Sequence, residues 1–495
     1  MAGDGAYSDA EMSLPQSAPP LPVARRFGLA HWLILIAVAL AARGITFGDP
    51  VVHVDEEFYF AMARGMWQGA LPFVDIWDRK PIGLFLLYWP AAGLPLAWGV
   101  LAYQIMALVS LVLTARLVFW MAERAGWGAG ALAGAIAYLL WPDLLNGVGG
   151  QAPIFYNLPM AAAGALIVAS AERHRRLLGA AAMALVGITL QIKYSAVFEG
   201  MFFGLWLLLR EWRARTALPV LAGYAVLLVA LALLPTLIAY AAYLDRGQAD
   251  AFVYANFGSI AHRNANPLPE MLGNIGVLVL LLSPLVAMVF GARGRVSQGD
   301  ASARAFLFAW FVAALLGVAV FGTWFDHYGL PVLVPGAACA AGFFGRSDMR
   351  RRVTPAILLL VALVGQIVVV VNIHNRGTAG QFARMADAVG RGPGCLYVYS
   401  GSTMLYPATE RCRLSRYVVP AHLNRARENG ATGVDQATEV RRILAARPAV
   451  VVMRPPFRGE RPEIRAIVVA AMARDYRLFA VTPMGNERIA IFKPR

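Results

Sequence analysis

Long apolar runs recur along most of this 495-residue chain, and they constrain its fold more than any other feature. From Phe27 to about residue 373 these runs are about 18 to 28 residues long, and each can cross a hydrocarbon core about 30 Å thick as a helix. Hydrophobic residues make up 59% of the chain and charged residues only 15%, which is not the balance of a soluble domain. The sequence therefore predicts a polytopic α-helical membrane protein.

We predict about 11 transmembrane helices within residues 25–373. The predicted spans cover residues 28–48, 99–121, 127–141, 153–171, 177–192, 196–210, 216–243, 271–291, 304–322, 328–345 and 353–373. Residues 1–24 are polar and rich in proline, so we expect a disordered cytoplasmic tail there.

Arginines in the short loops predict the orientation, because positive residues are retained on the cytoplasmic side. They fall in alternate loops, at Arg25 and Arg26, at Arg173, Arg175 and Arg176, at Arg210, Arg213 and Arg215, at Arg293 and Arg295, and at Arg346 and Arg350 to Arg352. The first long loop, residues 49–98, then lies outside together with the C-terminal segment. We expect a bacterial inner membrane protein with a cytoplasmic N-terminus, because the tail is short and the loops are compact.

The C-terminal segment, residues 374–495, has a different pattern. Short β-branched runs begin at Cys395 and Ala449, helical periodicity covers 434–446 and 461–474, and two strands follow, joined at a Gly-Asn turn. We predict a small periplasmic α/β domain. Cys395 and Cys412 both fall in it, where an oxidising compartment permits a disulfide but does not require one. The chain has a net charge of +15, for which an arginine-rich proteome and attraction to anionic lipids or glycolipids are the two explanations, whereas nucleic-acid binding is a weak one in a membrane protein.

The first long loop carries six acidic residues within thirty positions, out of 29 in the chain. They are Asp49, Asp55, Glu56, Glu57, Asp75 and Asp78. A carboxylate at the end of a span is partly desolvated, which makes it a better proton acceptor or metal ligand. The alternative is a solvated acidic loop, but this loop is rich in aromatic residues. Its residues 58–67 predict an amphipathic interfacial helix, and a second apolar stretch, 82–90, is too short to span.

Lysine is rare here, since Lys80, Lys193 and Lys493 stand against 41 arginines. An ammonium group is a compact partner for a phosphate, so Lys80 and Lys193 are candidates for one outer site. The alternative is that these lysines only anchor the helix ends, with the ammonium groups extended to the membrane interface. His327, followed by Tyr328, lies in a tight external turn, where it could bind a metal, donate to a phosphate or cap a helix.

The first loop, VDEEFYFAMARGMWQGALPFVDIWDRKPIGLFLLY, together with HYGLPVLVP, resembles the lipid-phosphate-dependent GT-C glycosyltransferases. That superfamily includes protein O-mannosyltransferases and the bacterial lipid A aminoarabinose and galacturonic acid transferases. Asp55 matches the acidic residue at its catalytic centre. Asp78, Lys80 and Pro81 match its acidic-x-Lys-Pro element, and Tyr328, Leu330 and Pro331 match its late turn. This chain departs from many members by having Lys-Pro-Ile rather than Lys-Pro-Pro.

The resemblance implies a GT-C-like fold and transfer of a sugar from a polyprenyl-phosphate donor to an envelope glycolipid, lipopolysaccharide or other glycan, with inversion at the anomeric carbon. We expect catalytic roles for Asp55, Glu56 and Asp78, and donor-phosphate contacts from Lys80, Lys193, His327 and Tyr328. If the acceptor is a hydroxyl, Asp55 serves as base; if it is a phosphate, Asp55 orients it or holds a cation.

A divalent metal ion held by Asp55, Glu56 or Asp78 with His327 is a further alternative, and no other cofactor is expected. A transporter or flippase of a lipid-linked sugar is the principal rival function. Such a protein places ionisable residues at the middle of the membrane, whereas this chain gathers its acids in one loop. A non-enzymatic envelope scaffold is a second rival, but it leaves the first loop unexplained.

Overall fold

A computed structural model of the chain describes residues 27–170, 174–292 and 299–495. The predicted tail, 1–24, and several orienting arginines lie outside these ranges. Within them the first part of the chain is helical. Its helices are α1 Leu29–Arg43, α2 Val54–Trp67, α3 Ile82–Ala92, α4 Leu96–Arg124, α5 Ala131–Leu144, α6 Ala152–Ala169, α7 Arg175–Leu190, α8 Val197–Arg213, α9 Leu218–Asp245, α10 Ala249–Val253, α11 Ser259–Ala261, α12 Leu268–Gly291, α13 Ala301–Phe321, α14 Leu333–Phe344 and α15 Val353–Arg376.

Each of the eleven predicted spans corresponds to one of these helices. Eight helical segments in the described ranges are long and apolar enough to cross a membrane. The other three, α5, α7 and α8, have 14, 16 and 17 residues and pack beside longer helices. The side chains of α9 and α15 are mostly exposed and apolar, as expected for helices that face lipid.

α14 lies at the centre of the bundle, and small residues let its neighbours approach closely. A Cβ atom added to Gly130 would lie 2.0 Å from the carbonyl oxygen of Ala341, and one added to Gly134 would lie 2.7 Å from that of Ala337. Close backbone contact of this kind is how helices associate in lipid, where no hydrophobic force drives them together. The contact fixes α5 against α14.

The C-terminal domain is a four-stranded sheet with helices, as predicted. Its elements are α16 Ala379–Val389, β1 Leu396–Val398, α17 Leu405–Thr409, α18 Ala421–Asn424, α19 Gln436–Ala445, β2 Val450–Met453, α20 Pro462–Asp475, β3 Tyr476–Met484 and β4 Glu487–Pro494. The strand order is β1-β2-β4-β3, with β1 and β2 parallel and the other pairs antiparallel. The Gly-Asn turn joins β3 to β4, and Cys395 is bonded to Cys412.

The C-terminal domain packs on the first loop, and this determines the environment of α2. The predicted helix is present, but it is not an exposed interfacial helix, because its aromatic face and Glu57 are buried. Ser402 of the domain contacts Glu57, and the Trp77 backbone N–H donates to the carbonyl of Arg416 at 2.9 Å. α3 has 11 residues, too few to span, as its length in the sequence indicated.

Candidate active site

Asp55 lies in the first turn of α2, at one end of the helical bundle. His53 precedes the helix, and its Nδ1 accepts the N–H of Asp55 at 3.1 Å, which caps the helix. Three carboxylates, Asp55, Glu56 and Glu57, occupy the first turn, where the helix dipole favours negative charge. The cap at His53 therefore begins α2 so that Asp55 lies in its first turn.

Positive and polar groups surround the carboxylate of Asp55. Gln151 Nε2 donates to Asp55 Oδ2 at 3.2 Å, and His327 Nε2 lies 3.9 Å from the same oxygen. Burial alone would raise the pKa of Asp55, but Lys80, His53, His327 and the Gln151 hydrogen bond outweigh it and hold that pKa well below its usual range. Asp55 is therefore an ionised carboxylate at neutral pH.

Lys80, whose charge lowers the pKa of Asp55, lies in a turn that Asp78 organises. Asp78 Oδ1 accepts the backbone N–H groups of Arg79 at 2.6 Å and Lys80 at 3.0 Å. Its Oδ2 lies 3.7 Å from His422 Nε2, and the side chain is buried. The carboxylate of Asp78 thus faces the turn and the C-terminal domain, and it positions Lys80.

Lys193 approaches from the short loop between α7 and α8. Its Nζ lies 4.5 Å from the centre of the Tyr328 ring, a cation–π distance. The pKa of Lys193 is lowered to about 7, first by burial and then by the charge of Lys80, while Asp55 opposes the change. The charges of Lys80 and Asp55 both act on Lys193, which places the three groups in one electrostatic neighbourhood.

Glu56 and Glu57 point elsewhere. Glu56 packs against Gly149, and burial raises its pKa to about 8. Glu57 Oε2 accepts the Ser402 hydroxyl at 2.5 Å and the Thr403 N–H at 3.1 Å. Neither carboxylate joins Asp55, because successive residues of a helix lie about 100° apart.

The cluster with metal-ligand spacing differs from the predicted set of Asp55, Glu56, Asp78 and His327. Among the described residues, the donor atoms of His53, Asp55 and His327 lie within 4.8 Å of one another. Two imidazoles and a carboxylate suit a divalent ion such as Zn²⁺. The Nδ1 of His53 already accepts the Asp55 N–H, so binding a cation through that nitrogen would break the helix cap.

Two cavities adjoin the site. The lipid-side cavity, of about 20 Å³, lies between α6, α8, α13 and the turn at 326–332, and Lys193, Tyr328 and Phe321 contribute to its lining. The interdomain cavity, of about 320 Å³, lies between α2, the end of α15 and the C-terminal domain, and Val54, next to Asp55, lines it. The lining of the first cavity is largely apolar, whereas polar and apolar surface are nearly equal in the second.

Sequence reasoning missed His53 and Gln151. Gln151 is fully buried, and its Nε2 lies 2.7 Å from His53 Nδ1 as well as donating to Asp55. The buried guanidinium of Arg43 holds the segment before Gln151 by donating to the carbonyl oxygens of Gly147 and Gly149. The Gly-Gly-Gln run after α5 was the one available signal.

These features define a class: a polytopic helical membrane protein with a GT-C-like bundle, an ionised carboxylate between lysines at one end, and an α/β domain covering it. The structure of ArnT from Cupriavidus metallidurans bound to undecaprenyl phosphate matches with a TM-score of 0.63 and 14% identity, over 94% of this chain and 98% of that chain. Apo ArnT from the same organism matches with a TM-score of 0.61 and 16% identity, over 93% and 98%. No protein-family model and no curated protein sequence matches. The predicted fold class is therefore confirmed.

Proposed function

We propose that this protein is an integral membrane glycosyltransferase that moves a sugar from a polyprenyl-phosphate donor to an acceptor on the outer face of the membrane. The observation that carries this proposal is the buried, ionised carboxylate of Asp55, whose charge interacts with the charges of Lys80 and Lys193. A phosphate needs the lysines, and an attacking hydroxyl needs the carboxylate.

In the proposed reaction, the acceptor oxygen attacks the anomeric carbon as the bond from that carbon to the phosphate oxygen breaks. Asp55 takes the proton of the acceptor hydroxyl, and the polyprenyl phosphate leaves with the bonding electron pair. Lys80 and Lys193 stabilise the charge that develops on the leaving phosphate. A single displacement inverts the anomeric configuration. With a phosphate acceptor no base is needed, and Asp55 then orients the acceptor.

The donor class is supported by the lipid-side cavity and by the neighbouring fold. ArnT from Cupriavidus metallidurans crystallised with undecaprenyl phosphate, and this chain shares its fold over nearly its whole length. In this chain Lys193 and Tyr328 line the cavity, where they can contact the phosphate of the donor. Sugar nucleotides are absent outside the inner membrane, so a lipid-linked donor is the reasonable source.

A divalent cation at His53, Asp55 and His327 remains part of this proposal as an alternative for Asp55. A bound cation would act as a Lewis acid and stabilise phosphate charge. The test is to measure transfer with EDTA and with added Zn²⁺ or Mn²⁺. If EDTA does not reduce transfer and neither metal raises it, the lysines alone stabilise the phosphate charge.

We place the protein in a bacterial inner membrane, with a cytoplasmic N-terminus and the C-terminal domain in the periplasm. The support is the alternation of arginine-rich loops and the disulfide between Cys395 and Cys412, which an oxidising compartment maintains. A cysteine introduced at Arg458, in the C-terminal domain, should react with a membrane-impermeant maleimide added to intact spheroplasts. If the cysteine is labelled only after lysis, the C-terminal domain is cytoplasmic and the proposed orientation is wrong.

The test uses purified protein in liposomes with a radiolabelled polyprenyl-phosphate sugar and a mixture of envelope glycolipids. We expect transfer by the wild type and loss of at least about 100-fold in Asp55→Asn and Lys80→Ala, since each removes a charge used in the transition state. Lys493→Ala is the matched control, because Lys493 lies in β4 far along the chain from the site. Equal transfer by all four proteins would defeat the mechanism.

A further inference from the structure

Lys193 lies in the short connection between α7 and α8. Its backbone is extended and is followed by the one-turn 3₁₀ helix Tyr194–Ala196. Its ammonium lies 4.5 Å from the centre of the Tyr328 ring, at the end of a flexible side chain. A lysine keeps its ammonium at one place only if neighbouring contacts fix the backbone that carries it. The contacts of this connection therefore determine where the ammonium lies.

Tyr194 joins the connection to a segment that is distant in sequence. Its phenol O–H donates to Asn256 Oδ1 at 2.9 Å, and the two residues are 62 positions apart. Its ring packs on Phe257, with 5.3 Å between the ring centres. The hydrogen bond and the ring contact together hold the residue that directly follows Lys193.

Asn256 lies in the π-helical stretch Tyr254–Gly258, between α10 and α11. Such π-helical turns are rare and occur frequently at functional sites. The Asn256 side chain is buried, and its Nδ2 donates to the carbonyl of Phe252 at 2.8 Å. Because its amide nitrogen is bonded to Phe252, its amide oxygen is the atom that faces the Tyr194 hydroxyl. The π-helical stretch thus presents a buried, oriented acceptor to Tyr194.

The segment that contains this stretch also contacts the C-terminal domain. A Cβ atom added to Gly433 would lie 3.1 Å from the ring of Tyr254. Further along, the backbone N–H of Asn264 donates to the carbonyl of Arg427 at 3.0 Å, and its Nδ2 donates to that of Ala426 at 3.0 Å. A continuous series of contacts therefore runs from the C-terminal domain to the connection that carries Lys193.

We propose that Tyr194 and Asn256 are positioning residues whose hydrogen bond keeps the ammonium of Lys193 beside Tyr328, where it meets the phosphate of the donor. Neither residue touches the donor, and both act through Lys193. The contribution to catalysis rests on the proposed glycosyl transfer, whereas the contribution to binding of a lipid phosphate does not depend on turnover.

The experiment measures binding of undecaprenyl phosphate to the full-length, detergent-solubilised protein, and the donor KM in the transfer assay. Tyr194→Phe removes the hydroxyl and keeps the ring against Phe257, so the fold should be retained. We expect about fivefold weaker binding and a donor KM raised by about the same factor, which is the effect of losing one neutral hydrogen bond. Tyr476→Phe is the matched control, because it removes a buried hydroxyl that donates to Pro448 at 3.0 Å within the C-terminal domain.

Two combined variants separate positioning from a general effect on folding. Asn256→Leu should weaken binding as Tyr194→Phe does, and the double variant should be no weaker than the weaker single variant, because both remove the same hydrogen bond. In a Lys193→Met background, which lacks the ammonium, Tyr194→Phe should change binding by less than about twofold. A purely structural role would give the same loss of about fivefold with and without the lysine.

Unchanged binding in Tyr194→Phe, an equal loss in the Lys193→Met background, or the same loss in Tyr476→Phe would overturn the proposal. Lysine-dependent weakening of undecaprenyl phosphate binding, in a protein that transfers no sugar, would support the positioning pair and defeat the proposed function. Sugar transfer with an unchanged donor KM in Tyr194→Phe would do the reverse.

Discussion

The carboxylate of Glu428 joins the C-terminal domain to the turn that carries Lys80. Removing its charge should therefore weaken the contact between that domain and the turn. Glu428 Oε2 lies 2.6 Å from Arg79 Nη2, and its Oε1 lies 3.0 Å from Arg263 Nε and 3.6 Å from Arg427 Nε. Burial alone would raise the pKa of Glu428, but its hydrogen bond to Arg79 and the nearby guanidiniums hold it well below its usual range. Glu428→Gln removes the one charge that these arginines share.

The free-energy cost of removing the Glu428 charge follows from the burial of this side chain and its partners. The Glu428 side chain is only 3% exposed, and the arginine side chains are 15–22% exposed. Removing one partner of a buried ion pair costs about 3 to 5 kcal/mol, and the partial exposure of the arginines places this case near about 3 kcal/mol. The predicted consequence is an opening of the interface between the first loop and the C-terminal domain.

The backbone N–H of Trp77 reports on this interface, because it donates to Arg416 of the C-terminal domain. A loss of about 3 kcal/mol should speed its hydrogen exchange by roughly 100-fold. Glu439→Gln is the control, since its partner Arg442 is half exposed and such pairs contribute at most about 1 kcal/mol. Unchanged exchange in Glu428→Gln, or equal acceleration in both variants, would refute the reasoning.

Three further predictions test other parts of the account. The pKa of Lys193 is lowered to about 7, so its positive charge is lost as pH rises through that value. The donor KM should therefore rise above pH 7 in steady-state assays, and Lys193→Arg should remove this pH dependence. Gln151→Ala should lower kcat by roughly tenfold with little change in donor KM, since Gln151 orients Asp55 rather than the donor; a loss confined to KM would contradict this. Serine at both Cys395 and Cys412, which lie 17 residues apart, should destabilise the C-terminal domain by about 3 kcal/mol in denaturant unfolding, and reductant should then have no further effect on the variant.

Periodicity and composition were sufficient to predict the membrane helices and the C-terminal domain. An apolar run of about 20 residues has few alternatives to a spanning helix, and the strands around the Gly-Asn turn carry a local signal. The predicted helix at 58–67 is also present, as the second half of α2. These features depend on residues that are close together in the chain.

The residues that pack around that helix could not be predicted from local sequence patterns. Glu57 meets Ser402, which is 345 positions away, and Asp55 meets Gln151, which is 96 positions away. Ser402 has no local pattern that marks it, and Gln151 is marked only by the two glycines before it, because a lone glutamine or serine is common in any loop. The side chains of the predicted metal ligands are not all brought together, for a related reason: Glu56 and Asp78 are near Asp55 in sequence, but their side chains point elsewhere.

The central claim is that the bond between sugar and phosphate is broken at Asp55, and the release of polyprenyl phosphate measures this directly. Purified protein in liposomes would receive a polyprenyl-phosphate sugar and an acceptor, and the lipid products would be quantified by mass spectrometry. We expect free polyprenyl phosphate in equal molar amount to the sugar transferred, and a fall of at least about 100-fold in both products in Asp55→Asn. Donor that crosses the bilayer with its sugar still attached, equally in both proteins, would contradict the account and identify a flippase.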